Sequence, residues 1–386
     1  MKRNRRAFLS AMGVVAFGGC IGTSTDSPPS EMPTGADAPP TSESTTTPAT
    51  TVDSTTTAHR KTTIGFGGDT MVGRSLNGIY GDEDVDPATI WGDFQPRLQS
   101  LDGVFCNLEC CLSTRGERFP DRTYHFRGDP AWAVPALNAG NVTFASLANN
   151  HAMDFGAVAL TDTIDALDAG GIEHAGTGEN AAAARAPATF SVGGLDVAAI
   201  SFSDEYEFYA ATEDRPGIAW ISRNYDGPET QRVVGDAIER AKATDPDILV
   251  ASVHWGENWI ERPRDRLVEF GHWLVDRGVD LVHGHSAHVV QAIEQYEDGV
   301  ILHDTGDLVD DFGIKDDLGN DKSYLFEVTL IDGEFEKIRL VPFHIDDGVR
   351  PTTEDEAAWL RETLRDRTDP FETTYERARE GLVVQL

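Results

Sequence analysis

From Lys61 onward, short apolar runs alternate with longer amphipathic stretches. The runs Thr63–Phe66, Gly103–Cys106, Val142–Ser146, Val197–Phe202, Ile248–Val253, Val279–Val282 and Val300–His303 have the length and bounding polar residues of buried strands. Between them, Pro87–Gln99, Ala157–Ala169, Glu229–Thr244 and Arg264–Arg277 repeat apolar residues at helical spacing. Such alternation predicts an α/β domain whose strands are covered by helices. Tyr324–Thr329 and Phe335–Val341 flank Asp332-Gly333, a dipeptide that suits a tight hairpin turn. The last stretch, Thr353–Leu386, reads as mostly helical. No Pro/Ser-rich break interrupts residues 61–350, and no internal repeat is visible, so a single domain is expected there, followed by an extension over 351–386.

The first residues follow another pattern. Met1–Arg6 carries Lys2, Arg3, Arg5 and Arg6, and Ala7–Gly19 is apolar and small. The apolar run is shorter than the roughly 20 residues of a spanning helix and has the layout of an export signal. Arg5-Arg6-Ala7-Phe8-Leu9 reads as a twin-arginine signal. Ala16-Phe17-Gly18-Gly19-Cys20 reads as a lipobox, so residues 1–20 are expected to direct export and to leave a lipid on Cys20. Residues 21–60 are dominated by Ser, Thr and Pro. They cannot bury enough apolar surface to offset ordering and are expected to form a disordered linker. The expected location is the outer cell surface, lipid-anchored.

Charge narrows the partners. The formal net charge is −33, and only 6 of 32 basic residues are Lys. A surface this acidic disfavours nucleic acid and anionic membrane as partners and suits high salt, where screening is short-ranged. A halophilic source is expected. Cys106, Cys110 and Cys111 crowd one short stretch without zinc-knuckle spacing; their pairing is not readable from sequence.

The chemistry lies at strand ends, where α/β sheets bind ligands. Gly67-Gly68-Asp69-Thr70-Met71 follows the first run, Asn107-Leu108-Glu109 the second, and Asn149-Asn150-His151 with Asp154 the third. His254-Trp255-Gly256 follows Ile248–Val253, and His283-Gly284-His285-Ser286-Ala287-His288 follows Val279–Val282. A lone His is more often structural. Five of the chain's 11 His at strand ends, joined by Asp and Glu, indicate a metal centre. Imidazoles suit zinc, iron, nickel or manganese, and carboxylates add hard ligands. There is no G-x-S-x-G elbow, P-loop or Rossmann fingerprint, which disfavours serine nucleophiles and nucleotide cofactors.

The ordered set resembles the CapA, or poly-γ-glutamate capsule biosynthesis, branch of the calcineurin-like metallophosphatases, over about residues 62–345. The match runs through Gly-Asp-Thr-Met with Arg74, Asn-Leu-Glu, Leu147–Gly156, Ala169-Gly170-Gly171-Ile172 with Gly176, and His-Trp-Gly with Pro263. It ends on Gly-His-x-x-His with Val289, Gln291 and Glu294. The resemblance implies a four-layer α-β-β-α sandwich and two divalent metal ions. It implies that Asp69, Glu109 (as bridging carboxylate), Asn150, His254, His285 and His288 are ligands. It makes His151 the proton donor, with Asp154 and Arg74 in the catalytic site beside it and Asn107 and Asn149 in support. His283 and Asp307 have no settled role. Met71 stands where the superfamily has a ligating His in Asp-x-His, so one site is incomplete or rebuilt.

The implied activity is hydrolysis of a phosphoester or amide bond during capsule or cell-envelope polymer synthesis, with an anionic polymer as substrate and a membrane-bound synthesis complex as partner. A non-catalytic accessory subunit that holds or exports a nascent polymer is the alternative, and a surface phosphoesterase a weaker one.

Overall fold

The computed structural model describes residues 59–386. The export signal, Cys20 and nearly all of the linker lie outside the described residues. Residues 59–386 belong to one unit. Among the described residues, no helix is long and apolar enough to cross a membrane.

Two sheets dominate. The larger has ten strands, and its central path places Lys61–Thr70 between Lys322–Ile331 and Gly103–Leu108, with Val142–Ser146 next outward. The smaller has six strands, with Ile248–His254 flanked by Leu195–Ser203 and Leu281–His285. Alternation along the strands sorts side chains by layer, because successive residues point to opposite faces. Phe105 joins Ile64, Phe66, Val250 and Leu281 in the core that holds strands of both sheets. Its neighbours Val104 and Cys106 pack instead with Trp91 and Trp132 from outer helical segments. On the smaller sheet, Leu249 and Ala251 pack with Val234 and Phe270 of the helices Pro228–Lys242 and Asp265–Asp276. The result is helix, sheet, sheet, helix: the four-layer α-β-β-α sandwich.

Each strand expected in the first domain is present, and several run further than their apolar cores. Lys61–Thr70 carries Asp69, Ile248–His254 ends on His254, and Leu281–His285 ends on His285. Pro87–Gln99 is not one helix; a 3-10 turn over Pro87–Phe94 meets a short helix Gln95–Gln99, with Gly92 at φ 46° breaking the path. Asp332 and Gly333, at φ 53° and 88°, close the expected hairpin between Lys322–Ile331 and Glu334–Ile345. The C-terminal extension is helical over Glu354–Thr368, where Thr353 and Glu356 form a capping box. Its end is not helical: Leu382–Gln385 pairs as a strand with Glu334–Ile345.

Candidate metal centre

Strand register brings the polar side chains together. Asp69 pairs with Asn107 on one side and with Asp307 on the other, so three strands of the larger sheet place three polar residues side by side. Gly68 permits this: a Cβ there would lie 1.8 Å from the Gly306 carbonyl oxygen. In the smaller sheet, His254 and His285 are direct partners on adjacent parallel strands. His283 joins the sheets, its Nε2 donating to the Gly67 carbonyl (3.0 Å). Ser252 Oγ lies 3.2 Å from His283 Nδ1 and 3.0 Å from His285 Nε2, which leaves His285 Nδ1 free to face Asp69.

The ligand atoms converge on Asp69, which is almost wholly buried. Asn107 Nδ2 donates to its Oδ1 (2.7 Å), and the Ser286 amide donates to its Oδ2 (3.1 Å). His254 Nδ1 and His285 Nδ1 stand 3.8 and 3.7 Å from Oδ1 and 3.0 Å from each other. His288 Nδ1 stands 3.2 Å from Oδ2 and 2.9 Å from Asp307 Oδ1. Two groups therefore have the spacing to hold a metal ion: Asp69, His254 and His285, and Asp69, His288 and Asp307. The resemblance implies Glu109 as the bridging carboxylate; the carboxylate common to both groups is Asp69. Glu109 faces them, with Oε1 3.9 Å from His254 Nε2 and Oε2 3.9 Å from His288 Nδ1.

The residues present fit a cation. Glu109 Oε1 and Oε2, Asn150 Oδ1, His254 Nε2 and Asp307 Oδ2 are all buried without a hydrogen-bond partner. Orphaned polar atoms are costly, and those of Glu109 and His254, 3.9 Å apart beside the two groups, are what a bound cation would satisfy. Electrostatics agree. Burial raises the Glu109 carboxyl well above its usual range, with Asp69 adding to the shift. Burial also lifts Asp69, but the His288 hydrogen bond and the imidazoles around it outweigh it and hold Asp69 below the carboxylate range. Burial pushes His254 down to about 3, His283 to about 4 and His285 well down, so all three are neutral donors. His288 is opposite: burial opposes its charge, but Asp307 and Glu109 raise it well above its usual value. A cation on Nδ1 would take the place of that proton, since a ligating imidazole is neutral.

His151 lies beside this cluster. Its Nδ1 is 2.5 Å from Asp154 Oδ2, its ring stacks on Phe126 at 3.7 Å, and its Nε2 is 3.9 Å from Glu109 Oε1. Asn149 bolts the turn by donating to Asn107 Oδ1 (3.1 Å) and the Leu108 carbonyl (2.8 Å). Arg74 is not in the buried cluster. It sits at the rim, over the Phe126 ring at 4.9 Å and paired with Asp311 (3.3 Å). Met71 is fully buried in the outer core. Cys106, Cys110 and Cys111 are free and buried.

Sequence reasoning gave Arg122 and Asp310 no role. Arg122 donates to the Asn150 carbonyl (2.8 Å) and lies 3.6 Å from Asp154 Oδ1; nothing near it in the chain marks it. Asp310 is buried beside Asp307, and burial with that neighbour raises its carboxyl well above the usual range.

Residues 63–312 match the model of the bacterial capsule synthesis protein family PGA_cap. A probable polyglutamine synthesis accessory protein of Mycobacterium tuberculosis is 34% identical over 302 residues, covering 72% of this chain and 76% of that one. The capsule biosynthesis protein CapA of Bacillus anthracis is 30% identical over 302 residues, covering 75% and 69%. The PGA biosynthesis protein CapA of Bacillus subtilis is 28% identical over 251 residues, covering 64% and 63%. With the matched segment holding every residue of both candidate metal groups, this chain belongs to the PGA_cap family of capsule synthesis proteins.

Proposed function

We propose that this protein is a metal-dependent hydrolase that acts on a capsule or cell-envelope polymer, held outside the cell by a lipid on Cys20 after twin-arginine export. The observation that carries the reading is the set of buried, unpartnered ligand atoms on Glu109, His254 and Asp307 around the shared Asp69. Asp69, His254 and His285 would hold one divalent ion, and Asp69, His288 and Asp307 the other, with Glu109 facing them and Asn150 a further ligand on the family resemblance. Asp307 would then supply what Met71 cannot. Bound ions of this kind polarise a phosphoryl or acyl oxygen and lower the pKa of a water.

The remaining work falls to the chain. Asp154 fixes the His151 ring through Nδ1 and leaves Nε2 to pass a proton to the leaving group. Phe126 covers one face of that ring. Arg74, at the rim, would meet an anionic chain such as a polyglutamate or a phosphoester. Capsule synthesis in the named relatives makes a carboxylate polymer the leading substrate.

A non-catalytic accessory role has its own support. The mycobacterial relative is named an accessory protein, and the superfamily ligand position is occupied by core-packed Met71. One experiment separates the readings. Metal content is measured in wild type, Asp69→Asn and Asp307→Asn, and hydrolysis of poly-γ-glutamate and of phosphoesters in wild type and His151→Ala. A binuclear hydrolase holds about two ions, loses both with Asp69→Asn and one with Asp307→Asn, and slows about 10²–10⁴-fold with His151→Ala. Two ions with no turnover on either substrate class favour the accessory role. A well-folded wild type without metal overturns the centre itself.

A further inference from the structure

The family match ends at residue 312, yet the helix Glu354–Thr368 beyond it reaches back to the metal centre. Arg367, near the end of that helix, is buried, with only 4% of its surface exposed. Its Nη1 donates to the Val290 carbonyl (2.7 Å), and its Nη2 meets Glu261 Oε1 (2.9 Å). Those two partners belong to different loops. Val290 lies two residues after His288, and Glu261 lies in the loop that leaves His254.

The two loops are stitched together at the same place. The Trp259 amide donates to the Ala287 carbonyl (2.9 Å), and Gln291 Nε2 donates to the Ile260 carbonyl (2.6 Å). Trp259 packs on the His288 ring at 4.9 Å. His288 itself sits at φ 58° and Ser286 at φ 116°, backbone settings that non-Gly residues hold only when their surroundings enforce them. The helix grips a third loop as well. Gly319, at φ 59°, lies so close to Trp359 that a Cβ would meet the ring at 2.4 Å. The segment before it carries Phe312, which packs on His288 at 4.8 Å.

We propose that Arg367 is a positioning residue for the metal centre: its planar fork ties the His254 loop to the His288 loop, so that the C-terminal helix sets where the His288 imidazole lies. The inference rests on the metal-centre reading above. A guanidinium suits the task because it donates in two fixed directions at once, which a lysine ammonium on a flexible stem does not. Groups that orient ligands from outside the coordination shell typically contribute 10–100-fold in metal affinity. The His254–His285 pair is set by strand register, so the effect belongs to the group of Asp69, His288 and Asp307.

The test uses the full chain as Arg367→Met, which keeps the stem, Arg367→Lys, which keeps the charge, and Arg361→Met as a control on the same helix. Metal affinity is measured by titrating Co²⁺ and following its visible bands, and loop order by hydrogen exchange over 257–263 and 285–291. Expected for Arg367→Met are one ion bound as in wild type, one bound about 10–100-fold more weakly, and faster exchange in both loops. Arg367→Lys recovers part of the affinity, and Arg361→Met matches wild type. Wild-type affinity for both ions in a folded Arg367→Met overturns the proposal, as does an equal loss in Arg361→Met, which would mean general undocking of the helix. If wild type binds no ion, the metal-centre reading fails. Exchange then decides: unchanged loops in Arg367→Met remove the clasp too, and faster loops keep it as a fold element only, which ends its role toward a metal.

Discussion

Glu109 has both carboxylate oxygens buried and unpartnered, a state that costs the fold about 1–3 kcal/mol for a polar group and more when charged. Burial raises its pKa above the ordinary value of about 4.5. The sign follows. Below the unfolded pKa the group is protonated in both states and costs little through ionisation. As pH rises past it, the unfolded chain ionises more readily than the folded one, and stability is lost until the folded pKa is passed. Glu109→Gln removes that loss. The metal-free variant is therefore expected to melt higher than wild type, by more at pH 8 than at pH 4, while the stabilisation gained on adding metal shrinks. A lower melting point for the metal-free variant at pH 8 would mean that Glu109 supports the fold rather than a ligand. At this scale the sequence was informative where residues cluster: Asp69, Glu109, His254, His285 and His288 are each named by a strand end, and the structure brings them together. Asp307 was ambiguous because its place in the cluster depends on lying beside Asp69 across a strand pair 238 positions away in the chain, a register no local pattern reports. Arg74 is drawn to the rim by Asp311 and Phe126, contacts equally invisible in a motif.

Strand contacts depend on Gly68 in a way a single side chain can test. The Gly68 position approaches the Gly306 carbonyl so closely that a methyl group cannot fit without parting Lys61–Thr70 from Asp307–Val309. Gly68→Ala is expected to cost about 3 kcal/mol, the upper end for overpacking, and to separate Asp69 from Asp307. Calorimetry and metal titration together check this: a variant that melts like wild type and holds two ions would show that the strands have slack. The strands themselves were legible because each is a buried apolar run with polar ends. Their overhangs were not, since Asp69, His254 and His285 look like turn residues until neighbouring strands supply hydrogen-bond partners. The broken helix at Pro87–Gln99 and the terminal strand Leu382–Gln385 escaped for related reasons. One turns on the backbone of a single glycine, Gly92; the other is four residues long and is fixed by pairing with Glu334–Ile345.

Across the whole molecule, 65 acidic residues face 32 basic ones, and many ion pairs are exposed, such as Lys242–Glu239 and Arg232–Asp236. Two opposed effects of salt follow. Screening weakens those pairs, but each exposed pair contributes only about 0–1 kcal/mol. Screening also relieves repulsion among the excess acids, 65 against 32 bases, which acts over the Debye length, about 10 Å at 0.1 M and about 3 Å at 1 M. The second effect is the larger for a net charge of −33. The protein is therefore expected to melt at progressively higher temperature from 0.1 M to 2 M NaCl, with most of the gain below 1 M, where the screening length changes most. The same salt would let an anionic polymer approach this acidic surface, so under the hydrolase proposal turnover on a polyglutamate should rise over the range in which turnover on an uncharged ester stays flat. Melting curves and the two rates, measured on one preparation, check both halves. A melting point that falls with salt would mean that the ion pairs, not the excess acid, govern the stability of this fold.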